Sequence, residues 1–340
     1  MLNRENLGIL AKRVAGATPN APVAYSFEGK NYSYSDLNET LRQELNAYAG
    51  TYSLYRENKN LIFSLIEETI DDVLPKKVMD AYNQFAEVKT FAQGDRPVFV
   101  QKITNYARKR AKQFITKVGL AGIYEVFKLD GKSYEVQTNA YGGAAQIGLE
   151  EFLDGRVDFA TVLDIVMEGL DEAILKEIAN AMIAAVDSLQ AANKASVTGF
   201  VETEMDRLIS IAEAYGPATI YCTREFASKM VPTDAWVSDN MKDQRWNAGY
   251  LATYKGTRVI ILPQSFEDET NTTKVIDPSY AFIFPGGGNK PVQIAFEGNT
   301  IVDEYVNYDR SREVQVYKKV GVAATFTNDI CVYRDTSLTK

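Results

Sequence analysis

The sequence predicts an α+β fold, and three observations carry that prediction. Residues Asp158 to Asn193 contain no proline, and their apolar residues recur at three- and four-residue steps: Phe159, Val162, Leu163, Val166, Met167, Leu170, Ile174, Ile178, Met182, Ala185 and Leu189. After Glu87 the pattern changes to the two-residue alternation of strands, and beyond Asn193 helical and strand-like stretches alternate. The first of these is a single amphipathic helix, and the rest of the chain is organised around it. At 1.5 Å per residue it would run about 50 Å, with Asp158 as its N-cap. Covering its whole stripe is worth on the order of 20 kcal/mol before ordering entropy is subtracted.

Composition sets the outer limits. A chain of 340 residues, 46% apolar and 24% charged, is long enough for about two domains with real cores. A net charge of -8 gives no general attraction to a phosphate backbone or an anionic membrane. The N-terminal MLNRENLGILAKRVAG lacks the uninterrupted apolar run of a leader, and no later window approaches a membrane span, so the expectation is a soluble, unexported protein. Histidine is absent, which removes Ser-His-Asp and Cys-His nucleophile systems, His-ligated zinc and the commonest general base. Carboxylate, Lys or Tyr chemistry stays open. Cys222 and Cys331, each inside an apolar strand-like run, read as buried free thiols. The 20 Tyr and 16 Phe suit extensive packing or interfaces.

In chain order, residues 1 to about 30 read as a mobile or extended arm, with Thr18, Pro19 and Pro22 breaking any helix that starts at Asn3. A helix follows from Ser35, as N-cap, to Ala49, with Leu37, Leu41, Leu45 and Tyr48 on one face. Another runs from Asn58 to Asp72; Pro75 stops it, and Lys76 to Phe85 forms a shorter third. VKTF and RPVFVQKI are strands on either side of the Gly94-Asp95 turn. GIYEVFKL, Asp130-Gly131 and KSYEVQTN form a hairpin whose apolar members, Tyr124, Val126, Tyr134 and Val136, have little local cover, so that a neighbouring chain would supply it. Gly142-Gly143 reads as a flexible joint before the long helix, with Leu149 and Phe152 as anchors. Later come a helix at Glu202 to Gly216, the strand PATIYC, a short helix capped by Thr223, and the hairpin YLATYKGTRVIILP with Lys255-Gly256 at its turn. SYAFIF, PVQIAFE and NTIVDEYVNY follow in turn, and REVQVYKKVGVAATFTNDICVYRD finishes the chain as short strands that pair locally or return to the long helix.

Candidate sites are few. Gly286, Gly287 and Gly288 follow a strand but lead into another strand, so no helix N-terminus presents amides to a phosphate, and the tract reads as a loop. Glu150 and Glu151 are adjacent and would point apart on a helix; they read as surface acids. The run Asp234 to Arg245, with Trp236 and Trp246, reads either as a stacking platform or as a helix packed through Trp236. The basic run is the most defensible charged feature: Lys102, Arg108, Lys109, Arg110, Lys112 and Lys117, with no acid between Asp95 and Glu125. Solvated surface is its default reading, DNA binding competes poorly with the net charge, and a contact to an acidic face of another subunit is the third possibility. No catalytic constellation, cofactor motif or metal-ligand spacing is present in the sequence.

The order of arm, projecting hairpin, long helix, inserted mixed domain and returning strands resembles the major capsid protein of tailed bacteriophages, the Hong Kong 97 fold. The resemblance is carried by Gly142 to Ala192, especially IGLEEFLDGRVDFATVLDIVMEGLDEAILKEIANAM, by ATIYCTREFASKM and YKGTRVIIL, and by REVQVYKKVGVAATFTNDICVYRD. It covers about residues 90 to 335. It implies an N-terminal arm within 1-90, where the helical region from Ser35 to Phe85 departs from the family's minimal arm as an elaborated arm or an added subdomain, an extended loop at 91-140 lying over the adjacent subunit, and a peripheral domain with the spine helix at 141-195. An axial domain at 196-305 and returning peripheral strands at 306-340 complete the implied division. The implied function is a non-enzymatic head protein that self-assembles into pentamers and hexamers of an icosahedral shell around double-stranded DNA. Scaffold, portal and decoration proteins are its implied partners, and the virion, assembled in the host cytoplasm, its location. A bacterial encapsulin compartment is the alternative within the same fold, distinguished by an enzyme cargo in place of nucleic acid, and a cytosolic enzyme is the alternative outside it. In a shell, Arg108, Lys109, Arg110, Lys112 and Lys117 would face Glu150, Glu151 and Asp154 of a neighbouring subunit.

Overall fold

The computed structural model describes residues 3–17, 25–27, 29–101, 132–146, 159–231, 238–268, 270–287, 289–306, 308 and 312–339. The chain divides into two compact units, the first comprising Met1–Pro97, Gln137–Ile174 and Ile294–Gly321, the second Val98–Val136, Leu175–Gln293 and Val322–Lys340.

In the first unit the N-terminal segment is not an extended arm. Helix α1 (Arg4–Gly16) starts where Asn3 caps Asn6 N and ends before Thr18; it buries Leu7, Ala11, Val14 and Ala15 among its own chain's helices. Strands β1 (Tyr25–Phe27) and β2 (Lys30–Tyr32) then form a hairpin. Helix α2 (Tyr34–Ala49) begins two residues earlier than Ser35 as cap predicts, because Ser33 and Asp36 make a reciprocal capping box. Leu37, Leu41, Leu45 and Ala49 form its buried face, and Tyr48 is only half-buried. Helix α3 (Tyr52–Tyr82) corrects the reading of two helices divided at Pro75: it is a single helix of 31 residues with Pro75 inside it. The apolar stripe continues across the proline through Ile66, Ile70, Val73, Leu74, Val78 and Tyr82, all buried, and this burial outweighs the one backbone hydrogen bond that proline removes.

The sheet of this unit has the order β3-β12-β13-β6, from β3 (Ala86–Phe91), β6 (Asn139–Gln146), β12 (Val292–Val306) and β13 (Arg312–Ala324). Strand β12 unites PVQIAFE and NTIVDEYVNY, which the sequence divides; Gly298, at φ +67, carries the chain through the intervening irregularity. Gly142 is no flexible joint. It lies in β6 opposite Tyr317, and a Cβ there would come within 2.7 Å of the Val316 carbonyl, so glycine is what the close pairing of β6 and β13 requires.

The long helix is α4 (Phe159–Val186), 28 residues and so about 42 Å. It ends seven residues short of Asn193. Ser188 and Leu189 turn back to the carbonyls of Ala185 and Val186, and Lys194 Nζ donates to the Val186 and Asp187 carbonyls at 3.2 and 3.5 Å, closing the C-terminus. Met167, Leu170, Ile174, Ile178 and Met182 of the predicted stripe are buried; Asp158 and the side chains of Phe159, Val162 and Leu163 lie outside the described residues.

The second unit holds a six-stranded sheet of order β7-β14-β11-β8-β10-β9, built from β7 (Lys194–Val197), β8 (Ala218–Cys222), β9 (Thr253–Tyr254), β10 (Thr257–Ile261), β11 (Tyr280–Pro285) and β14 (Cys331–Asp335). Helix α5 (Glu202–Glu213) covers one face with Met205, Leu208, Ile209 and Ala212. Helix α6 (Arg224–Lys229) is capped by Thr223 as predicted, and Lys255 and Gly256, both at positive φ, make the tight turn between β9 and β10. The last two strands part company: β13 joins the four-stranded sheet, whereas β14 lies between β7 and β11. In the same unit β4 (Val98–Gln101) pairs with β5 (Lys132–Glu135), so the described partner of KSYE is VFVQ; GIYEVFKL and the Asp130-Gly131 turn lie outside the described residues.

Candidate assembly surface

The eight residues the sequence assigns to a subunit contact, Arg108, Lys109, Arg110, Lys112, Lys117, Glu150, Glu151 and Asp154, all lie outside the described residues, as do Leu149, Phe152, Trp236 and Gly288. Tyr134 and Val136 do not await a neighbour's cover. Val136 is buried and Tyr134 stacks on the buried Phe99 at 6.4 Å; on β4 it is Val98 and Val100 that face outward. Alternation along a strand fixes this: residues 99 and 134 share one face, 98 and 100 the other.

The helical region before residue 85 packs against the β-sheet of its own unit through a polar seam the sequence analysis missed. On α3, Tyr55, Lys59, Glu67 and Asp71 fall at multiples of four residues, one stripe along the helix. Glu67 accepts from Val302 N at 2.8 Å and Asp71 from Thr300 N at 2.9 Å. The spacings agree: four helical residues advance about 6 Å and two strand residues about 6.6 Å. Tyr55 and Lys59 meet Glu304 at 3.4 and 3.5 Å. Lys318 of β13 ends the stripe, with Nζ 2.5 Å from Asp71 and 2.8 Å from the Gly298 carbonyl. Glu67 and Asp71 are two among many polar residues of α3, and Phe63 interrupts the four-residue series, so nothing in the linear sequence singled them out.

On the other face of that sheet, Ile301, Asp303 and Tyr305 of β12 and Gln315, Tyr317 and Lys319 of β13 point outward and line a shallow groove with Gln93 and Glu297. The hydroxyl of Thr138 and Gly94 N–H donate to Glu297, holding its carboxyl below the usual range. In the second unit, Trp246 stands 90% exposed on helix α7 (Asp239–Ala248), which begins at the Ser238 cap; Asp234 to Val237, with Trp236, lie outside the described residues. The glycine tract is a turn, with Gly287 at φ +80 and Gly286 N bonded to the Pro217 carbonyl.

Among the described residues no group of His, Cys, Asp or Glu is placed to hold a metal, and no helix is long and apolar enough to cross a membrane. Cys222 and Cys331 are free and buried, and burial pushes both thiols up to about 12.

A family model described as "SPbeta prophage-derived putative capsid protein YonB" matches residues 7–332. The chain belongs to the YonB capsid family. That membership covers nearly the whole sequence and makes the protein a shell component, a structural protein of a phage head. No curated protein matches the sequence. Among solved structures, the capsid of cyanophage P-SCSP1u is similar at TM-score 0.48 and 10% identity, over 74% of this chain and 86% of that one. The head of Helicobacter pylori bacteriophage KHP40 is similar at 0.46 and 11%, over 75% and 91%, and an encapsulin complex from Synechococcus elongatus at 0.43 and 10%, over 73% and 85%. Likeness at this level concerns chain path alone. YonB membership agrees with the sequence's resemblance to phage capsid proteins.

Proposed function

We propose that this YonB-family chain is the major head protein of an icosahedral shell of Hong Kong 97 type, arranged as pentamers and hexamers around double-stranded DNA. The family match over residues 7–332 carries the reading. A long helix, a four-stranded sheet and a separate six-stranded unit are consistent with it, and a net charge of -8 suits a container that must not adhere to the DNA it packs. The loop at 91-140 lies over an adjacent subunit, where Arg108, Lys109, Arg110, Lys112 and Lys117 meet Glu150, Glu151 and Asp154. Exposed pairs of this kind are worth about 0 to 1 kcal/mol each, so they set docking register while apolar burial and multiplicity hold the shell. Scaffold, portal and decoration proteins complete the head, which is assembled in the host cytoplasm without a membrane. Light scattering and electron microscopy of the purified chain are expected to show rings or closed shells. Stable monomers or dimers under all assembly conditions would overturn the reading, and particles that carry an enzyme and no nucleic acid would make it a cargo compartment instead.

A further inference from the structure

Among the described helices of ten or more residues, α7 alone buries none of its side chains. Its ends are well made. Ser238 caps Met241 N, and Gly249, at φ +81, closes the C-terminus by donating to the Arg245 carbonyl at 2.7 Å. Arg245 reaches the Ser228 carbonyl and Arg224 the Ala248 carbonyl, each at 3.2 Å. What the helix lacks is a covered apolar face, and helices shorter than about 12 residues are marginal in water without one. Single exposed apolar residues are ordinary on any surface. Here, however, the 90% exposed Trp246 itself lines a cleft of about 390 Å³, together with Val231, Met241 and Leu251 and with Lys242 and Arg245 at its charged side.

We propose that this patch is a contact between copies of the chain, with Trp246 as its anchor; the inference rests on the shell reading. Two observations select a second copy as the occupant. A capsid protein's repeated partner is itself. The charges of α7 also balance, Asp239 and Asp243 against Lys242 and Arg245, with Lys242 and Asp239 paired at 3.0 Å within the helix, so in a chain of net charge -8 this patch adds no repulsion between copies. Trp and Arg are also the residue types most enriched where interface energy concentrates.

The test uses the full chain with Trp236→Phe, which leaves Trp246 as the sole tryptophan of the original two. Iodide is expected to quench Trp246 strongly in unassembled subunits and weakly in purified particles, with emission moving to shorter wavelength on assembly. Trp246→Ala should leave the subunit's unfolding midpoint unchanged and raise the concentration needed for assembly at least about tenfold. Equal quenching in particles and subunits, or assembly of Trp246→Ala at the original concentration, overturns the contact and leaves the shell reading intact. Protection that appears only when another phage protein is added assigns the patch to that partner and also overturns it. A chain that forms no particles overturns the shell reading together with this contact.

Discussion

Lys318 and Asp171 are charges in half-dry settings with opposite consequences. The Lys318 side chain is 3% exposed and paired with Asp71 across 2.5 Å. Removing one member of such a pair strands the other, so Lys318→Met is expected to lower subunit stability by about 3 kcal/mol in urea denaturation. A loss below about 1 kcal/mol would mean that Thr300's two donors to Asp71 suffice alone. Asp171 on α4 has an Oδ1 with no hydrogen-bond partner, and burial raises its pKa while Lys77 pulls the other way. A carboxyl whose folded pKa is raised costs stability when ionised, above that pKa, and the cost is relieved as pH falls through it. Asp171→Asn should therefore stabilise the subunit at neutral pH by about 1 kcal/mol, with the gain shrinking toward pH ~4. Thermal unfolding as a function of pH checks both the sign and the window.

At the scale of elements, Pro75 is the instructive case. Proline in a helix interior removes an i to i−4 bond and crowds the preceding turn, which is why the sequence predicts a break, yet α3 runs on to Tyr82. Its neighbours on both sides are anchored in the core, Leu74 and Val78 at 0% exposure, and local cost yields to tertiary burial. Pro75→Ala should stabilise the subunit by about 2 kcal/mol, the restored helix bond exceeding the unfolded-state entropy that proline removes. No change on urea denaturation would mean that the helix has already relaxed around the ring. The end of α4 was equally hidden, because Lys194, eight residues beyond Val186, closes it through space. The starts of α2 and α6 were largely legible, since Ser, Thr and Asp near a helix start act within three residues.

At the scale of the whole molecule, prediction turns on association. Replacing Arg108, Lys109, Arg110 and Lys112 with Ser is expected to reduce shell yield without changing the subunit's unfolding midpoint, and raised salt should mimic the effect by screening exposed pairs. Unchanged yield at moderate salt would count against the loop's docking role. The Trp246 contact, being apolar, should respond little to salt, so the two variants separate by ionic strength.

The sequence by itself determined the α+β class, the existence of the long helix, the Thr223 cap, the Lys255-Gly256 turn, the buried state of both cysteines, and a resemblance to phage capsid proteins that the YonB match supports. These follow from periodicity and from contacts a few residues long, which a linear chain displays directly. Only the tertiary structure decided that α3 survives its proline, that β12 is one strand, that Gly142 serves a close strand pairing, and that β13 and β14 belong to different sheets. The reason is common to all four: each depends on partners remote in sequence. Asp71, Thr300 and Lys318 are the clearest instance, separated by 229 and 247 residues from one end of the network to the other members and joined only when helix and sheet meet.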